Sequence, residues 1–191
     1  MASHRDLGRG QLTNGATGST MVEKERDRLL LDQRQMDGRL FDYHSLLRAS
    51  RALHHCRDMN DLASVLRAMI HDKMGEVPVW IFIYDDAASV FSQFEGDTEQ
   101  DPFTFGLGPG ILWQLLRRGE PFSVVDLDGA YRFPDLFSTT GLDTLGAVIW
   151  TPLVMDDQPR GLLALGRLPG GERYSNRELE FLHTLGEQAA V

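Results

Sequence analysis

The densest apolar pattern in the chain is a pair of runs. Val148, Ile149, Trp150, Leu153 and Val154 form the first, and Leu162, Leu163, Ala164 and Leu165 the second. Between them stands a polar tip, Asp156-Asp157-Gln158-Pro159-Arg160. Runs of this length bounded by turn residues predict two paired strands joined by a short loop. Neither run alternates cleanly, so both faces of the pair should be covered. This hairpin is expected at the centre of a mixed α/β sheet.

The rest of the chain supplies partners for it. Residues 77–84, VPVWIFIY, are the strongest strand signal. A turn at Asp85-Asp86 and a shorter strand over 89–94 make a second hairpin. An acidic loop over 95–102 leads to a third strand over 103–107. Gly108-Pro109-Gly110 breaks that strand and opens a short helix over 111–118, and 121–125 forms the next strand. The connection from Asp126 to Asp143 is longer than usual loops, so it is functional or holds a short helix of its own, which 135–139 can supply.

Helical periodicity marks three further segments. Asp58 or Asn60 can cap a helix over 58–74 that Gly75 ends, with Leu62, Val65, Leu66, Met69 and Ile70 on one face. Ser175 starts the last helix, and Glu178 completes a capping box. That helix runs to Val191 without a stop signal, which suggests a piece of a longer protein. Earlier in the chain, residues 21–57 contain one Gly and no Pro. Val22, Leu29, Met36, Tyr43 and Ser50 recur every seven residues, with Leu40, Leu47 and His54 four after the last three. Two readings fit this narrow seam: a parallel helix pair across a dimer, with Leu29, Met36, Leu40, Tyr43 and Leu47 at the interface, or one amphipathic helix packed on its own domain. Residues 1–20 are nearly devoid of apolar side chains and are expected to form a mobile tail. The domain plan is therefore a tail over 1–20, a dimerisation helix over 21–57 and a globular domain over 58–191.

Charge narrows the partners. The 191 residues carry a net charge of −9, and the excess of acids over bases lies after Gly75. That balance argues against nucleic acid or an anionic membrane as partner, since both need a basic footprint. Cys56 is the only cysteine, so no internal disulfide can form, which fits a reducing compartment. No apolar run reaches membrane-spanning length and no signal peptide is present, so a cytoplasmic location is expected.

From about Leu47 to Val191 the chain resembles the GAF domain family of small-molecule-sensing modules. Four stretches carry the likeness: the helix over 58–74; Gly108-Pro109-Gly110-Ile111 followed by Arg118-Gly119-Glu120-Pro121; the strands Val148-Ile149-Trp150-Thr151-Pro152-Leu153 and Gly161-Leu162-Leu163-Ala164-Leu165; and Tyr174-Ser175 with Glu178-Leu179 and Phe181-Leu182. The resemblance implies an α+β fold. Its six-stranded, mainly antiparallel sheet would carry incoming and exit helices on one face, and a short helix and long loops around a pocket on the other. It also implies a homodimer through the terminal helices. The role would be a regulatory sensor in a bacterial-type signalling protein, relaying an unidentified small molecule to an attached output domain. A ligand-free dimerisation scaffold of the same fold is the alternative.

Candidate chemistry is sparse. Bilin-binding members of the family attach chromophore through a pocket-side Cys, whereas Cys56 falls in the incoming helix; one cysteine also cannot close the disulfide that the family's methionine sulfoxide reductases need. The N-[KR]…F-x-x-x-D-E signature of cyclic-nucleotide binders cannot be placed. Gly106 to Gly110 lacks the Walker lysine and reads as a permissive strand-to-helix turn. Asp97, Glu99 and Asp101 are spaced like a calcium loop, but Pro102 stands where that loop needs Gly. His54 and His55, adjacent on a helix, would point about 100° apart and cannot share one metal ion. No catalytic arrangement or metal site is implied, and the residues name no cofactor either way. The candidate ligand site rests on eight rings, Phe103, Phe105, Trp113, Phe122, Tyr131, Phe133, Phe137 and Trp150, with Arg132 and Asp143 as polar anchors. The same rings could instead simply pack the second face of the sheet.

Overall fold

The computed structural model describes residues 24–30, 33, 47, 50–94, 102–108 and 110–190. The chain divides into two units, Met1–His44 and Ser45–Val191. In the first, residues 24–30 and 33 are helical, and Leu29 is 61% exposed. The tail over 1–20, the seam residues Met36, Leu40 and Tyr43, and the acids Asp97, Glu99 and Asp101 lie outside the described residues.

In the second unit the leading helix stops at Leu53 rather than at Arg57. The His54 amide still reaches back four residues, to the Ser50 carbonyl. Those of His55 and Cys56 reach back only three, to Ala52 and Leu53. This tightening closes the helix without a glycine. His54 and His55 therefore occupy a turn, and Cys56 lies between helices rather than within one. Burial, then the charges of Asp61 and Asp58, push the Cys56 thiol above its usual pKa, which disfavours the reactive thiolate.

The incoming helix, α1 (Met59–Met74), is bounded by its caps. The Asp58 carboxylate accepts the Asp61 amide at 2.9 Å. Gly75, at φ 79°, donates its amide to His71 O at 2.9 Å. Ala63, Leu66, Ile70 and Met74 are its buried stripe.

Six strands follow: β1 (Val79–Asp85), β2 (Val90–Gln93), β3 (Thr104–Phe105), β4 (Phe122–Ser123), β5 (Ile149–Met155) and β6 (Gln158–Leu165). They form one sheet in the order β3-β2-β1-β6-β5-β4, every neighbouring pair antiparallel. The third strand is thus shorter than the 103–107 expected. The central hairpin is tighter than its sequence suggested: Asp156 and Asp157 alone make the turn, both with left-handed φ (51° and 58°), and Pro159 and Arg160 belong to β6. Two consecutive left-handed residues match the right-handed twist of the strands they join. Inside β6, a Cβ on Gly161 would lie 2.6 Å from the Phe82 carbonyl oxygen, so only glycine lets β1 pair there.

Alternation along the strands builds two cores. One face of the sheet packs Ile81, Ile149, Leu163 and Leu165 against α1 and the exit helix α4 (Asn176–Ala189). The Ser175–Glu178 capping box opens α4 as expected, with the Ser175 amide 2.6 Å from the Glu178 carboxylate. Gly186 lets α4 approach closely: a Cβ there would sit 2.9 Å from the Pro152 carbonyl oxygen. The opposite face packs Phe82, Trp150 and Leu162 beneath α2 (Ile111–Arg117) and the long β4–β5 connection. This is the six-stranded α+β arrangement that the family resemblance implied.

Candidate functional site

The β4–β5 connection shapes the second face. The Asp126 carboxylate starts it by accepting the amides of Asp128 and Ala130 at 2.9 and 3.0 Å, an Asx-type turn. Pro134 occupies the first turn of α3 (Pro134–Thr140), where its missing N–H costs nothing. Gly141 ends that helix in the left-handed region, and a single 3₁₀ turn over Leu142–Leu145 returns the chain to β5. Phe137 from α3 and Leu142 from the 3₁₀ turn are fully buried against the sheet.

All eight candidate rings gather on this face. Tyr131, Phe137 and Trp150 form a three-ring stack, with centroids 4.4 and 5.4 Å apart. Phe105 and Phe122 each stand 6.0 Å from Trp150. Phe103 edges onto Phe82 at 6.4 Å, Trp113 leans on Tyr84 at 5.2 Å, and Phe133 is partly buried beside them. Six of the eight, Phe103, Phe105, Phe122, Tyr131, Phe137 and Trp150, are thus linked ring to ring, and Phe137 fills the space between Tyr131 and Trp150. Within this cluster the Trp150 indole N–H is buried with no hydrogen-bond partner. A donor in that position costs about 1–3 kcal/mol relative to a satisfied one.

The two proposed anchors do not point into the stack together. Asp143 is exposed, and it is its backbone carbonyl that accepts the Tyr131 hydroxyl at 3.4 Å. Burial, then the Asp143 charge, raise the Tyr131 pKa, with Arg167 opposing them. Arg132 is exposed and donates from Nε to the Val125 carbonyl at 3.1 Å. Open space lies at the margins of the cluster. A cavity of about 290 Å³ borders Tyr84, Leu107 and Trp113, and another of about 370 Å³ borders Phe122 and Arg132. Two participants were missed in the sequence: the orphaned indole N–H, which only the packing reveals, and Arg167, which no motif marks. Among the described residues, no group of three or more His, Cys, Asp or Glu is placed to hold a metal ion. Nor is any helix among them long and apolar enough to cross a membrane.

A family model described as the GAF domain matches residues 56–191. The chain belongs to the GAF domain family. Its fold is similar to residues 122 to 287 of a methyl-accepting chemotaxis protein (16% identity, TM-score 0.57, covering 74% of this chain and 92% of that one). It is likewise similar to the GAF domain of an Acinetobacter phosphoenolpyruvate-protein phosphotransferase (15%, 0.56, 78% and 90%). A third is the chromophore-binding domain of Stigmatella aurantiaca phytochrome P1 (14%, 0.58, 79% and 59%). No curated protein matches the chain. At these identities the likeness is one of fold. Within the GAF fold of this chain, the ring cluster sits on the face away from the two terminal helices, beneath the β4–β5 connection.

Proposed function

We propose that the chain is the regulatory sensor part of a signal transduction protein. In this reading a small molecule lodges among the second-face rings, and the terminal helices pass its presence to an output domain. Membership of the GAF family over 56–191 carries the reading. The orphaned Trp150 N–H supports the location, since an acceptor on a ligand would satisfy it. Binding would require α3 to withdraw Phe137, opening a slot between the faces of Tyr131 and Trp150. A ligand that favours the withdrawn state shifts the population toward it; one that binds both states equally shifts nothing. The test is a thermal-shift screen of nucleotides, amino acids and heterocyclic metabolites. A specific binder raises Tm with concentration by mass action and loses that effect in Trp150→Phe.

A scaffold without ligand is the second reading, favoured by the way Phe137 fills the space between Tyr131 and Trp150. A screen with no concentration-dependent shift would select it. Both readings share a homodimer through the leading helix. The exposure of Leu29 and Leu47, 61% and 42% in the single chain, supports a second copy covering them. Leu40→Glu with Leu47→Glu would place charge in that seam, and sedimentation should then show a dimer turning monomeric. A parent chain that is already monomeric would refute the pairing.

A further inference from the structure

The cavity of about 370 Å³ beside β4 touches the ring cluster only at Phe122. It opens toward the side of the sheet that carries α4. Its floor is apolar: Val125, Val148, Ile149, the Tyr174 ring and Leu179 at the start of α4. Three guanidinium groups stand on its rim in an acidic domain: Arg132 from the β4–β5 connection, and Arg167 and Arg173 from the β6–α4 connection. Two of them have structural duties. Arg132 donates to Val125 O, and Arg173 donates to Leu127 O, so together they pin the 125–129 turn. Arg167 has no such duty: among the described residues it donates no hydrogen bond and forms no ion pair. Space for it is provided by Gly129, at φ 85°, where a Cβ would lie 2.9 Å from Arg167 Nη2.

We propose that this cavity binds a small amphipathic monocarboxylate, its apolar body on Val148, Ile149 and Leu179 and its carboxylate on Arg167. A guanidinium matches a carboxylate with two parallel N–H donors, and Arg132 and Arg173 line the same cavity. The cavity volume lies at the lower end of the range for small-molecule sites, about 300–1,000 Å³. Three acids also line the rim, Asp126, Asp128 and Glu172. Asp126 is turned inward to backbone amides. Asp128 and Glu172 would repel a polyanion, which is why a single carboxylate fits better than a phosphate ester. The occupant would touch Tyr174 and Leu179, and thus the first turn of the exit helix. This proposal does not depend on a ligand among the rings.

The test titrates hexanoate and phenylacetate, with hexanamide as the neutral match and inorganic phosphate as the polyanion, into the 191-residue chain. The readout is the set of NMR methyl signals of Val148, Ile149 and Leu179. Both carboxylates should shift these methyls in a saturable way, while hexanamide binds at least about tenfold more weakly and phosphate does not compete. Arg167→Gln should weaken hexanoate by about tenfold, and Arg167→Lys should keep part of the affinity because it keeps the charge. Arg167 is exposed, so both variants are expected to fold, as their unshifted core methyls will report. The proposal is overturned if neither carboxylate binds, if hexanamide binds equally well, or if Arg167→Gln leaves affinity unchanged. Shifts centred on Trp150 and Phe137 instead would overturn it in favour of the ring cluster.

Discussion

The two faces of the sheet are closed by different means. Aliphatic side chains and two capped helices close the first; rings and an irregular connection close the second. On the first face the closing elements are regular, and Gly186 brings one of them within backbone contact distance of β5. On the second, the α3 segment is seven residues long and its middle ring fills a stack rather than a helix groove. Consecutive residues of β5 also bury unpartnered polar atoms on opposite faces: the Thr151 hydroxyl on the first, where Gln188 Oε1 of α4 is unpartnered too, and the Trp150 N–H on the second. A hydroxyl rotates to suit its surroundings, whereas an indole N–H is a donor in one direction only. The contrast teaches that the first face is held by regular, capped elements, whereas the second depends on ring packing beneath a short helix and an irregular connection.

The sharpest way to break this contrast is to empty both faces. Leu182→Ala, at a fully buried position of α4, should cost about 2–5 kcal/mol in urea unfolding, because neither sheet nor helix can collapse into the void. Phe137→Ala removes a larger side chain, also fully buried, yet should cost only about 1–3 kcal/mol of global stability, below the range usual for a buried phenylalanine, because α3 can settle. Its signature should be local: faster hydrogen exchange over 134–145 with the amides of α1 and α4 unchanged. Equal global losses with no local signature would show that both faces are one rigid body.

A finer comparison uses one tyrosine from each core. Burial raises the pKa of Tyr174, which donates to Gly166 O at 2.7 Å, and burial also leads the rise at Tyr131. For each, the folded state holds the phenol proton above the pH at which the unfolded chain releases it. Their stabilising contribution is therefore complete below a pH of about 10 and is lost as pH rises beyond that. Denaturation midpoints at pH 9 and 11 should fall in the parent. Tyr174→Phe should flatten that fall more than Tyr131→Phe does, since Tyr174 carries the larger shift and Arg167 works against that at Tyr131.

Local chemistry explains which features were legible beforehand. Asp58 with Gly75, and Ser175 with Glu178, are caps whose partners lie within a few residues, so their sequence spacing is their geometry. The apolar runs of β1, β5 and β6 were equally plain. Pro159 and Arg160 misled because proline usually marks a turn; here the ladder shifts register between Leu153 and Val154, and Pro159 pairs with Val154 just beyond that irregularity. The end of the leading helix at Leu53 carried no glycine or proline to announce it. The eight rings were found, but whether they surround a space or fill it depends on centroid distances that no spacing encodes. Arg132 meets Arg167 and Arg173 only because the fold brings the β4–β5 and β6–α4 connections together, so nothing short-range could have grouped all three.

The two-residue link at Asp156 and Asp157 also bears on how the chain assembles. β5 and β6 are joined by the shortest connection in the sheet, so bringing them together sacrifices the least chain entropy. β1, by contrast, must find β6 from the opposite end of the domain. The β5–β6 pair is therefore the part that can form earliest, and β1 and β4 can then add to its two edges.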